Sequence, residues 1–296
     1  MFLLTPSTTS DDAPLPWFIW VIICIIFLGL LAYLISAIRD GVSAVEEMRT
    51  KHGNATYTKA ETDNIEIYLL QNSYYEKLSL AGKAEFVHRT LDFMNSRTIE
   101  GDGNYNPDLA TRVHVAAAAI QLTFGLKNFT FEVFDDIILY PDIFRVCETG
   151  VLMKGATTPN GIVRISVKDF NEGYKTSTDK LNVGLHEFGH AVYMEFLKAA
   201  QQEEEGEASL IHPYQSEADK ILHTGLEKDK FLRSYAFTNL HEFFAVAVEH
   251  FFEAPQEFKE KLPSLYTLMT KLLNQDPNNS NHDYALTEKF PEVNFN

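Results

Sequence analysis

The longest uninterrupted apolar stretch in the chain runs from Trp17 to Ile38 and carries no charge. At about 1.5 Å per residue a helix of this length spans about 33 Å, enough for a bilayer core of about 30 Å. The pattern predicts one transmembrane helix over residues 17–38, an extracytoplasmic tail over 1–16 and a juxtamembrane linker with some helix over 39–70. A cleavable signal peptide fits less well, because no Lys or Arg precedes the stretch and no small-residue cleavage site follows it.

Beyond the linker the periodicity changes. Leu78 to His88 repeats apolar residues at helical spacing, and Asp108 to Phe124 does so again, rich in alanine and ending before Gly125. These segments predict a helical N-terminal layer, with His88 and His114 read as packing or surface residues. Phe129 to Phe134 and Gly161 to Val167 alternate, and Ile137 to Tyr140 is apolar throughout, so short strands of a small sheet are expected. Ile162 to Val167 is placed at the sheet edge, where it would take an extended peptide by strand addition; an internal strand is the alternative. Two further helices follow, one through Leu181 to Leu197 and one through Ser234 to Pro255. The whole is an α+β domain over 71–277, with a loosely held tail over 278–296.

The first of those two helices contains His186-Glu187-Phe188-Gly189-His190. Side chains four apart lie on one helix face, so both imidazoles can reach one metal ion, while Glu187 lies about 100° round and can serve as a base for water. Neutral imidazole suits zinc, and a catalytic zinc usually has three protein ligands and one open position. Zinc lowers the pKa of water to about 7, and a neighbouring carboxylate can move its proton to a leaving amine. Gly189 costs a helix about 1 kcal/mol against alanine, which points to a close backbone neighbour.

The third ligand must come from elsewhere. A histidine six residues after His190, as in the metzincin pattern, is absent because Phe196 stands there, and Leu210 stands where a thermolysin-like carboxylate would fall. The run Glu203 to Glu207 reads as a solvated loop. In the later helix, Glu242, Glu249 and Glu253 fall within about 40° of one another, with most phenylalanines and valines facing the other way. That stripe is either a ligand face or a solvated one. Glu242 is equally the third helical residue of a capping box begun by Asn239.

The stretches Asn182 to Ala191, Tyr235 to Pro255 and Ile138 to Phe144, in that spacing, resemble the Mlc titration factor A family of glucose-regulated metallopeptidases, whose zinc site is related to that of the anthrax lethal factor catalytic domain. The likeness runs from about Asn72 to about Pro277. It implies a zincin-like metallopeptidase domain with zinc as cofactor, His186, His190 and Glu242 as metal ligands, and Glu187 as general base. Tyr235, seven residues before Glu242, would offer its phenol to the developing oxyanion, and Glu249 and Glu253 would lie outside the ligand set or at the surface. Aminopeptidase-like action is implied for the family, yet no residue stands out as an anchor for a free amino group.

Composition narrows the partners. A net charge of −16 argues against nucleic acid and against docking on anionic lipid, leaving a peptide or protein substrate. Arg39, Arg49, Lys51 and Lys59 follow the apolar segment while the preceding residues hold Asp11 and Asp12 and no base, which places the catalytic domain on the cytoplasmic side. The two cysteines agree with a reducing compartment, Cys24 lying in the membrane segment and Cys147 having no partner in the domain. The leading expectation is a membrane-tethered zinc peptidase. The alternative is a non-catalytic protein that sequesters a transcriptional regulator at the membrane, a role the family name suggests. A structural zinc site is disfavoured, since such sites usually close with four cysteine-rich ligands.

Overall fold

The computed structural model describes residues 16, 18–19, 23–36, 57–127, 129–146, 150–175, 180–202, 210–224, 231–279 and 283–284. The chain divides into two units, Met1–Lys51 and His52–Asn296. In the first, helix α1 is described at residues 18–19 and 23–36, with the side chains of 23–36 exposed, Cys24 among them. No helix among the described residues is long and apolar enough to cross a membrane. The expected span over 17–38 lies outside the described residues at 17, 20–22 and 37–38, as do Cys147, the acidic run 203–207, residues 1–15 and most of the C-terminal tail.

The second unit is mixed α+β, mostly helical with a small sheet. Its first helix, α2 (Lys59–Leu69), lies in the stretch expected as linker. A capping box starts it, with the Thr58 side chain accepting from Glu61 N and the Glu61 side chain accepting from Thr58 N, and Ile65 and Leu69 are buried in the domain core. The short α3 (Ser73–Glu76) and the long α4 (Leu80–Ser96) follow, then strand β1 (Thr98–Gly101) and the alanine-rich α5 (Leu109–Thr123). Asp108 caps α5 by accepting from Thr111 N at 2.8 Å. The expected helical layer is therefore present. Near the other end of the chain, Asp283 accepts from Ser79 N at 2.6 Å and the Tyr284 ring stacks on Tyr74 at 4.0 Å, so these tail residues are fastened to the layer.

Strands β2 (Asp136–Tyr140), β5 (Gly155–Thr158) and β6 (Ile162–Ser166) complete a four-stranded sheet in the order β1-β2-β6-β5, and β3 (Phe144–Arg145) and β4 (Leu152–Met153) form a separate antiparallel pair. β1, β2 and β6 run parallel, whereas β5 pairs antiparallel with β6 through Gly155↔Ile165 to Thr158↔Ile162. This corrects the expectation for Ile162 to Val167. β6 has neighbours on both sides, and the edge strands are β1 and β5. The alternation in β6 reflects one buried face of an internal strand: Val163 and Ile165 are fully buried against the helices.

Helix α6 (Val167–Lys175) follows β6 directly, and α7 (Val183–Gln202), α8 (Ile211–Thr224), a 3-10 turn (Ser234–Thr238), α9 (Leu240–Glu253), α10 (Pro255–Lys261) and α11 (Pro263–Leu273) finish the unit. Helix α7 is central. One face carries Phe188, fully buried, with its ring centroid 6.2 Å from that of Phe93 in a cluster shared with Phe131 and Phe134. Burying each such ring stabilises the fold by about 1.5–3 kcal/mol and fixes the rotation of α7. Glu195, also buried, accepts from the backbone N–H groups of Glu132 and Val133 and ties the preceding loop to the same helix. A Cβ on Gly189 would lie 3.2 Å from Ala245 Cα, so the glycine lets the α9 backbone approach α7 closely, as its cost within the helix suggested.

Candidate metal centre

Asn182 sets the start of α7, its side chain accepting from Leu185 N at 3.0 Å. From this start the helical period puts His186 and His190 on one side and Phe188 on the other. The two imidazoles meet edge to face with centroids 4.8 Å apart, each mostly but not fully covered. Opposite them α9 begins at Asn239, whose side chain accepts from Glu242 N at 3.0 Å. The capping contact and the approach to the histidines therefore coexist, because the backbone of Glu242 serves the cap while its carboxylate turns to the imidazoles. Glu242 Oε2 lies 3.2 Å from His186 Nε2 and 3.4 Å from His190 Nε2.

These three side chains offer ligand atoms within 4.8 Å of one another. Glu242 Oε2 is shut off from solvent without a hydrogen bond of proper geometry, although two imidazole nitrogens face it. An orphaned buried carboxylate oxygen is costly to keep, and a cation held between it and the two nitrogens satisfies all three. Burial opposes ionisation of Glu242, but the two histidines hold its carboxyl well below the usual carboxylate range. Burial likewise opposes charge on His186, yet Glu242 and Glu249 together lift it to about 10. A metal ion would take the place of the proton that these groups otherwise share.

Glu249 is the residue whose part the sequence left open. Only 1 % exposed, it accepts from His186 Nδ1 at 2.8 Å and from Asn182 N at 2.8 Å, and it receives a donor from the Arg233 guanidinium. An acceptor on Nδ1 directs Nε2 toward Glu242 and fixes the ring. Glu253, one turn later, accepts from Asn182 Nδ2 at 3.1 Å and Lys180 N at 2.8 Å. The acidic stripe of α9 is thus an inward-facing clamp on the start of α7.

Glu187 leaves the helix toward the sheet edge. It is buried, and burial raises its carboxyl pKa despite the attraction of His186 and His190. Thr157 on β5 places its hydroxyl 2.8 Å from Glu187 Oε2, and a Cβ on Gly155 would come within 2.6 Å of Glu187 Cγ. Neither β5 contact had a signal in the sequence, since no local pattern says that this strand meets α7. Tyr235 sits in the 3-10 turn, 47 % exposed, with its ring centroid 6.0 Å from that of His186. Burial and the nearby Glu242 raise its phenol pKa. A cavity of about 340 Å³ opens beside these groups, walled by Leu152, Gly155, Val183, His186, Glu187 and Tyr235 among others.

Two imidazoles from one helix and a carboxylate from the helix crossing it, beside a strand edge and an open cavity, make a single-metal site of the kind that metallopeptidases use. The profile of the glucose-regulated metallo-peptidase M90 family matches residues 46–273, and the chain belongs to that family. The match begins before α2 and ends with α11, so it takes in the helical layer, the sheet and the metal centre. No curated protein matches the chain.

Proposed function

We propose that the chain is a zinc-dependent peptidase that hydrolyses peptide bonds with Glu187 as general base, and that residues 17–38 tether it to a membrane with the catalytic unit on the cytoplasmic side. The observation that carries the reading is Glu242 Oε2, shut off from solvent, without a hydrogen bond of proper geometry and facing His186 Nε2 and His190 Nε2. Two imidazoles and one carboxylate are a donor set suited to zinc, with a coordination position left for reactants. When bound, zinc supplies an acidified water and polarises the scissile carbonyl.

The remaining work falls to the protein. Glu187, its proton affinity raised by burial, takes a proton from the attacking water and delivers it to the leaving amine. Thr157 and the space left by Gly155 hold that carboxylate in place. The Tyr235 phenol, at the mouth of the cavity, donates to the oxygen on which negative charge develops, a contact of a kind worth about 3 kcal/mol in the transition state. The free edge of β5 pairs with the substrate backbone and aligns it past Glu187, giving affinity without strict sequence demands.

Elemental analysis of the full chain and of Glu242→Ala, with hydrolysis of a mixed peptide library by the full chain and by Glu187→Gln, tests this. One zinc per chain, weakened by Glu242→Ala, and turnover abolished by Glu187→Gln are expected. No zinc and no turnover, with capture of a regulatory protein intact in Glu187→Gln, would replace the reading by the sequestering one. Resistance to carbonate extraction from membranes, lost when residues 17–38 are deleted, tests the tether.

A further inference from the structure

Arg233 touches the metal centre only through Glu249 and takes no part in the proton transfer, and it lines the same cavity as His186, Glu187 and Tyr235. It precedes the 3-10 turn that carries Tyr235 and is 33 % exposed. Among the described residues its hydrogen-bond partner is Glu249, which takes one nitrogen, Nη2. Glu249 is itself divided among Arg233, His186 Nδ1 and Asn182 N, so one carboxylate serves three donors. The Arg233 Nε is shut off from solvent and makes no hydrogen bond. Lys154, the other cation in the cavity wall, is held by Asp169 at 2.6 Å.

A guanidinium has five N–H donors in a rigid fork whose natural complement is a carboxylate. With Nη2 on Glu249 and a third of the side chain still exposed, the fork keeps N–H donors for a ligand that enters the cavity. We propose that Arg233 is a specificity residue that binds a substrate carboxylate beside the scissile bond, so that the cleft prefers peptides bearing either a free C-terminus or an acidic side chain at that point. This inference rests on the peptidase reading. It names an anchor for an anionic group, where the sequence offered none for a free amine. The competing role is that Arg233 does nothing but neutralise buried Glu249, and binding measurements separate the two.

The experiment uses the full chain with Glu187→Gln, loaded with zinc, and an acetylated, amidated hexa-alanine peptide in which one position at a time is glutamate or glutamine. The same peptide with a free C-terminal carboxylate forms a second arm, and affinity is read by isothermal titration calorimetry. At least one acidic peptide is expected to bind about tenfold more tightly than its neutral counterpart, the size of one charge-assisted carboxylate contact. The arm in which this occurs tells a C-terminal carboxylate from a side chain. Arg233→Gln, compared at confirmed zinc occupancy, should erase the preference while the neutral peptide still binds. Where Arg233→Gln fails to fold, Arg233→Lys keeps a charge beside Glu249 but loses the fork, and the preference should fall with zinc retained. Equal binding of acidic and neutral peptides, or a preference that survives in both variants, overturns the assignment and leaves the peptidase intact. No peptide bound, with no hydrolysis by the unmutated chain, overturns the peptidase reading and this inference with it.

Discussion

Replacing Glu249 by glutamine tests the geometry of the centre without touching a proposed metal ligand. In the native arrangement Oε1 accepts from His186 Nδ1 and from Arg233, and Oε2 accepts from Asn182 N. A glutamine has one acceptor oxygen. If that oxygen faces His186, the new amide points its N–H groups at Asn182 N–H; if it faces Asn182, the N–H groups point at His186 and Arg233. Either orientation buries a donor against a donor, which costs about 1–3 kcal/mol, and leaves the guanidinium without its anion. Where the amide turns its N–H groups to His186, the ring is no longer held at Nδ1 and metal affinity should fall by about 10–100-fold, equivalent to about 1.4–2.8 kcal/mol. Competition with a chromophoric chelator for zinc measures the affinity, and thermal unfolding of the metal-free chain measures the fold separately. An affinity within about twofold of the parent would refute the claim that Glu249 orients the ring, because this contact type carries at least tenfold elsewhere. A drop in stability alone would make Glu249 a clamp on the start of α7 and nothing more.

Three other substitutions probe the surroundings. Gly155→Ala puts a Cβ against the Glu187 side chain; it should cut turnover sharply while zinc content stays at one per chain, and unchanged turnover measured at saturating peptide would show that β5 does not set the position of Glu187. Gly189→Val drives a branched side chain into the Ala245 backbone and should destabilise the unit by about 1–3 kcal/mol in urea unfolding, with weaker zinc binding because α9 carries Glu242 away from α7. Asp108→Ala removes the cap of α5 and should cost about 1 kcal/mol at neutral pH. The bond from Thr111 N holds the Asp108 carboxyl below its ordinary 3.8, so the cap's contribution is complete above that value and is lost as pH falls through the folded value. The gap between Asp108→Ala and the parent should therefore shrink on acidification, and a gap that grew would contradict the assignment.

Local periodicity determined a good deal. Two histidines four apart on a helix with a buried face must share a side of that helix, whatever it packs against, and the glycine between them needed a close neighbour, which is Ala245. The α+β character and the helical layer were readable for the same reason, since each element repeats its apolar residues within a few turns. The match of the family profile to residues 46–273 agrees with the three sequence blocks that pointed to it. What local pattern could not settle were choices between partners far apart in the chain. Asn239-x-x-Glu242 fits a cap and a ligand equally, and only the crossing of α9 over α7 brings the carboxylate to the imidazoles. An alternating strand has the same signature at an edge as inside a sheet with one open face, so the pattern of Ile162 to Val167 fits the border that Gly155 to Thr158 occupies. Glu249 sits in a stripe of the kind any solvated helix shows, yet it is buried, and three donors from α7, its preceding loop and the residue before the 3-10 turn converge on it. Ligand-type residues were thus legible from composition and spacing within single elements, while the carboxylate that faces the two histidines, the carboxylate on His186 Nδ1 and the strand beside Glu187 depended on which elements meet, and that is set by burial of the shared core.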